Sequence, residues 1–299
     1  MKKLPLVFSG CLLGLAGAGN LIADTWPVLS HLFSLTGLVL WLFFLILHLF
    51  NWEETRKELT KPPLLSGMAT FPMAGMILST YVFRVFPVLP LVAQGIWWFS
   101  FLLDLALIAT FTIKFACPGR RVNATPSWTV LYVGIAVAAL TYPLVGIIEI
   151  AYATLSFGFV LTFYLYPLIY SDLKKSPLPL ALLGQEGIYC APFSLLLASL
   201  VRVGGASLST WLLIVMILAS QSFFFFVLTR LPNILKQGFQ PAFSALTFPT
   251  IITATSLKMA QGILKLPFLD YLVLAETVIC LTILFFVLGA YLIWLRKKV

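Results

Sequence analysis

The chain has 299 residues, of which 61% are hydrophobic and only 10% charged, with a formal net charge of +9. This is far from the balance of a soluble globular domain, and no stretch is long and polar enough to form one separately. Long continuous apolar runs also exclude the short alternating segments of a β-barrel, so the class is all-α, polytopic and membrane-embedded.

Ten apolar stretches follow one another, at about 5–23, 29–51, 67–86, 89–115, 126–145, 147–170, 181–203, 207–230, 241–263 and 268–295. Each is near the twenty or so residues that a helix needs to cross a bilayer. Short separators rich in Pro, Gly or charge divide them. The first stretch follows Lys2 and Lys3, as a secretory leader would, but Asn20 to Asp24 offers no small-residue cleavage site. It is read as a membrane helix, and residues 1–299 as one transmembrane domain.

With an even number of spans both termini share a side. That side carries 15 of the 19 Lys and Arg residues, and the other carries Arg84, Arg202, Lys258 and Lys265. The positive-inside rule makes the first side cytoplasmic. The charge is then a topological bias and a contact with anionic lipid, with no implication of nucleic acid.

Odd and even stretches differ in kind. Odd ones hold small residues and proline: Gly10, Gly14, Gly17 and Gly19 in the first, Thr70-Phe71-Pro72 in the third, Pro192-Phe193 in the seventh, Thr247-Phe248-Pro249-Thr250 in the ninth. Even ones are mostly Leu, Phe, Val and Ile. Small and proline-broken helices pack closely or line cavities, whereas greasy ones face lipid. The alternation suggests five helical hairpins, odd members inside and even members outside.

The ninth stretch is the most polar, with Ser244, Thr247, Thr250, Thr253, Thr255 and Ser256 around Pro249. Two readings are open: a kinked, pore-lining helix plugged by Phe248, or a tightly packed bundle helix. Phe-Pro at 71–72 and 248–249, with Pro192-Phe193, would bend three inner helices in mid-membrane beside an aromatic ring. Thr70, Thr247, Thr250 and Thr253 would offer hydroxyls to a passing anion or bond back to their own helices.

Arg84, Arg202 and Lys258 fall near the outer ends of odd spans. They would form a basic mouth that concentrates anions, or snorkel to headgroups. Ionisable groups inside the membrane are functional candidates. Glu186, on an inner span, is the candidate proton site. Asp104, on an outer span, reads as a structural hydrogen-bonded or protonated group, or one at a subunit contact. Cys11, Cys117, Cys190 and Cys280 have no metal-site spacing, and His31 and His48 lie at opposite ends of one helix. No phosphate-binding loop or nucleophile motif is present, which argues against an enzyme and against any cofactor or metal.

Four stretches together carry a resemblance: Gly10-Cys-Leu-Leu-Gly-Leu-Ala16, Thr70-Phe-Pro-Met73, Ala191-Pro-Phe-Ser-Leu-Leu-Leu-Ala-Ser199 and Phe243-Ser-Ala-Leu-Thr-Phe-Pro-Thr250. In order and spacing the chain resembles the tellurite-resistance/C4-dicarboxylate transporter (TDT) family, which includes bacterial TehA, fungal malate permeases, sulfite exporters and the plant guard-cell slow anion channels. The resemblance implies ten helices around a central pore, usually as a homotrimer, with a pore-occluding phenylalanine at Phe248 and a room-giving glycine at Gly14. It differs from the plant channels in carrying no extended soluble terminus. The expected function is a channel or transporter of the cytoplasmic membrane for small inorganic or carboxylate anions. The alternative is a proton-coupled carrier for C4-dicarboxylates such as malate, or for sulfite-like anions.

Overall fold

The computed structural model describes residues 4–117, 119 and 121–297. Lys2, Lys3, Arg120 and Lys298, four of the basic residues behind the topology argument, lie outside these. Thirteen α-helices are found among the described residues: α1 (Ser9–Leu21), α2 (Pro27–Phe50), α3 (Trp52–Glu58), α4 (Pro62–Gly67), α5 (Thr70–Val85), α6 (Pro90–Phe111), α7 (Ser127–Gly134), α8 (Val137–Thr141), α9 (Ile148–Lys175), α10 (Ala191–Gly204), α11 (Thr210–Lys236), α12 (Thr247–Leu264) and α13 (Pro267–Lys297). Tight 3₁₀ segments, Leu6–Phe8, Leu180–Cys190 and Pro241–Leu246, lead into α1, α10 and α12.

Among the described residues seven stretches are long and apolar enough to cross a membrane, and an eighth if α7 and α8, bent by 45°, count as one. Leu6–Leu21 is apolar but shorter, and α12 is not among them. The shortfall from ten has a plain cause: the first stretch is short, and the ninth carries the run of Ser and Thr.

The prolines act differently from expectation. Pro72 and Pro249 are the third residues of α5 and α12 rather than mid-helix kinks. In the first turn an N–H has no partner within the helix, so proline loses nothing there. The helix type or register changes just before these prolines, where the 3₁₀ segment passes into α12 and where α4 gives way to α5.

Burial separates two classes of helix. The α4–α5 stretch is 78% buried and the α10 stretch 61%, against 33–39% for α2, α6, α9, α11 and α13. Neighbouring broken segments touch in a closed order: α1 meets α5, α5 meets α8, α8 meets α10, α10 meets α12, and α12 meets α1. The continuous helices pack outside these seams. For example, α2 lies on α1 and α5, α11 on α10 and α12, and α13 on α12 and α1.

Two seams rely on glycine. A Cβ on Gly14 would stand 2.8 Å from Cβ and Oγ1 of Thr247, so α1 and α12 touch almost backbone to backbone. At Gly184 a Cβ would stand 2.4 Å from the carbonyl oxygen of Ala242, a backbone atom that cannot step aside. Gly184→Ala is therefore expected to destabilise the fold by about 1–3 kcal/mol, the usual range for overpacking. Gly95→Ala on α6, with nothing within 4 Å of its Cβ position, is the neutral control. Thermal unfolding of the two variants in detergent checks this.

Candidate functional site: two cavities at Phe248

The broken segments enclose two cavities, one toward their N-terminal ends and one toward their C-terminal ends. The first holds about 70 Å³ and is largely apolar, with Val7, Leu13, Met73, Val133, Leu195 and Phe248 among its walls. The second holds about 640 Å³ and is lined by Asn20, Thr80, Arg84, Arg202, Thr255 and Lys258, among others. On α1 the first cavity ends at Leu13 and the second begins at Asn20. Gly17 lies between, and a Cβ there would stand 3.1 Å from Cδ2 of Phe248. The Phe248 ring, 4% exposed, is thus seated on Gly17 at the level that divides the cavities.

This seating corrects the role expected for Gly14, which faces Thr247 and Leu284 and borders neither cavity. Two further expectations fail for a related reason. Phe71 stacks on Trp41 of α2 at 4.8 Å between ring centroids and 6° between planes. Phe193 stacks on Phe223 of α11 at 5.4 Å and on Tyr166 of α9 at 5.6 Å. Both rings face the outer helices, not the cavities. Pro192 and Pro249 do line the first cavity, whereas Pro72 lines neither.

The threonines divide in the same way. Thr70 lines the first cavity, with its hydroxyl 2.6 Å from that of Ser9 and donating to the carbonyl of Gly67. Thr247, Thr250 and Thr253 line neither cavity. Thr250 donates to the carbonyl of Leu246 and Thr253 to that of Pro249, each four residues back along the chain. The Thr247 hydroxyl stands 2.7 Å from the carbonyl oxygen of Ser244, three residues back, and 2.9 Å from that of Gly10 across the seam, so its one hydrogen is shared between its own segment and α1.

Arg84, Arg202 and Lys258 come from α5, α10 and α12 and meet at the second cavity. Lys258 Nζ donates to the carbonyl of Leu21 at 2.8 Å and stands 3.3 Å from exposed Asp24. Such an exposed pair holds the ammonium weakly. The Arg84 guanidinium lies 5.8 Å from the ring centroid of Tyr81. Neither Arg84 nor Arg202 forms a salt bridge among the described residues.

Glu186 borders neither cavity. Its carboxylate makes a two-point pair with Arg230 of α11, at 2.9 and 3.0 Å. Its neighbour Gln185, unremarked in the sequence, lines the first cavity instead, and its amide oxygen has no partner among the described residues. A 3₁₀ segment turns about 120° per residue, so adjacent side chains point to different neighbours. Glu186→Gln is expected to lower stability by about 1 kcal/mol, since the pair is bidentate but half open to solvent. The double variant Glu186→Gln/Arg230→Met should recover part of that loss in a thermal-unfolding cycle.

Among the described residues no group of three or more His, Cys, Asp or Glu side chains could hold a metal ion. A comparison with curated proteins gives no match. A family model described as voltage-dependent anion channel matches residues 3–292. The chain therefore belongs to the SLAC1 family of voltage-dependent anion channels, the group that includes the TehA-like and guard-cell slow anion channels, and is a multi-pass membrane protein of the anion channel and transporter class.

Proposed function

We propose that the chain conducts small anions across the cytoplasmic membrane through a central pore closed by Phe248. In this reading ten segments cross the membrane as five hairpins, with the five broken ones inside and both termini in the cytoplasm. The two cavities are successive chambers of the pore. Three such chains assemble as a homotrimer, as the resemblance implies, with the exposed faces of the outer helices toward lipid or one another.

The observation that carries the reading is the seating of the Phe248 ring on Gly17, between an apolar chamber and a wide one bearing three cations. Among the described residues no basic side chain lines the apolar chamber. Conduction favours such an arrangement, because an ion that binds tightly at mid-membrane cannot leave. The edge of an aromatic ring is electropositive, so a ring that turns edge-on would block and guide an anion with the same group. The basic chamber would raise the local anion concentration.

The three cations also suit a doubly charged substrate, which supports a second reading as a carrier of C4-dicarboxylates or sulfite-like anions. Glu186, turned away from both cavities, is then not the group that would carry its proton.

Anion flux through purified protein in liposomes tests the proposal. Phe248→Ala is expected to raise chloride and nitrate flux about tenfold or more, equivalent to removing a barrier of at least ~1.4 kcal/mol. A folded variant with unchanged flux would sink the pore reading, and a saturable malate flux driven by a pH gradient would favour the carrier. Arg84→Gln and Arg202→Gln should each lower flux severalfold at low salt. That loss should fade near 1 M salt, where the screening length is about 3 Å.

A further inference from the structure

Three acids are buried among the described residues: Asp172 of α9, which pairs with Arg121, and two without a cation, Asp104 of α6 at 0% exposure and Glu276 of α13 at 1%. Asp104 is enclosed by its own chain, which removes it from the subunit contact considered for it. Neither carboxyl has a hydrogen-bond partner among the described residues.

Glu276 differs from Asp104 in facing a polar side chain from another helix. Gln221 of α11 turns its amide toward the carboxyl without reaching hydrogen-bond geometry, and the amide oxygen and nitrogen of Gln221 also lack a partner. Four polar atoms from two helices thus meet in one buried spot, which borders neither cavity. The other titratable groups nearby are the thiols of Cys190, from the 3₁₀ segment before α10, and Cys280, one turn along α13. From α12 no charged group turns to this spot, since Lys258 is held by Leu21 and Asp24. On α11 the nearest cation is Arg230, nine residues or about 13 Å along the helix from Gln221, and it is forked to Glu186.

A carboxylate placed there would have nothing to balance its charge, in the setting where such a charge is hardest to keep. The donors at hand are two carboxyl oxygens and one amide oxygen. Hard metal cations take about six oxygens, so the ligand that fits is a proton.

The site is coupled to the gate by packing. Cys280 and Leu284 of α13, one and two turns beyond Glu276, are buried against Ile251 and Ala254 of α12. Those two residues follow Phe248 on its own helix. We propose that Glu276, backed by Gln221, is a proton-binding site whose occupancy sets how firmly α12 holds Phe248 in place. With the proton bound, the seam of α11, α12 and α13 stays dry and closed. Loss of the proton draws water into that seam and frees α12, so anion flux rises with pH.

The binding step is tested on full-length protein by infrared spectroscopy over a pH titration. The carboxyl stretch of a protonated acid should be present in the wild type at neutral pH and lose one component in Glu276→Gln; Asp104→Asn separates any contribution from Asp104. If Glu276→Gln removes no such component, the proton site is refuted. A component that responds to replacing sodium by choline at constant pH, and not to pH, would replace the proton by a metal cation and overturn the assignment.

The coupling step rests on the anion-conducting reading and is measured as nitrate flux. Wild-type flux should climb from acidic to alkaline pH, while Glu276→Gln should stay near the low value throughout. An unchanged pH profile in the variant refutes the coupling. Loss of all anion flux in wild type and Phe248→Ala alike would refute the conduction reading instead, and leaves the infrared result to decide the proton site by itself.

Discussion

The close approach of α1 and α12 governs the arrangement of the interior. A residue with a side chain at position 14 would hold the helices apart, and the bond from Thr247 to the carbonyl of Gly10 would be lost. Because the two backbones nearly touch, the residue after Thr247, Phe248, meets Gly17 about one turn along α1 from Gly14, and the ring settles there. Small-residue contacts of this kind suit a lipid environment, where no hydrophobic force drives helices together and close packing must serve. Outer helices then add to seams already fixed: α13 fills the groove beside α1 and α12, and α11 the groove beside α10 and α12.

Much of this was legible in the chain itself. The contrast between small, proline-bearing stretches and greasy ones matches the division between well-buried segments and helices left two-thirds open. Arg84, Arg202 and Lys258, read at corresponding depths of their spans as a basic mouth or as snorkelling side chains, line one cavity together. The direction of individual side chains was less legible. Phe71 and Phe193 have the same proline neighbours as Phe248, yet they turn outward. Helical phase decides this, and phase is reset wherever a 3₁₀ segment of about 120° per residue passes into an α-helix of about 100°. The same reset exchanges Glu186 for Gln185 at the cavity wall. The proline positions were misread because a proline within an apolar run looks like a kink unless the helix start is known.

Hydroxyl groups show how polarity can be present without being offered to a ligand. The serines and threonines of α12 suggested a wet wall, but Thr250 and Thr253 return their hydrogens to carbonyls four residues back, and Thr247 shares its hydrogen between the carbonyl of Ser244, three residues back, and that of Gly10 on the neighbouring helix. Ser194 similarly joins Ser220 and Thr253, at 2.8 and 2.9 Å, in a small network between three helices. Polar groups bonded in this way fix one arrangement of helices against alternatives, since each would lose its partner if the packing shifted.

In the conducting reading, the two chambers differ in size and polarity and so treat an anion differently. An anion arriving from the wide side remains hydrated and near positive charge until it reaches the ring. One arriving from the narrow side must first shed water in an apolar chamber of about 70 Å³, a constriction of the kind that empties of water and resists ions. In that reading an anion crosses the same apolar constriction whichever way it travels, and the positive charge on one side of it alone would make the current depend on the sign of the voltage, without any moving charge sensor.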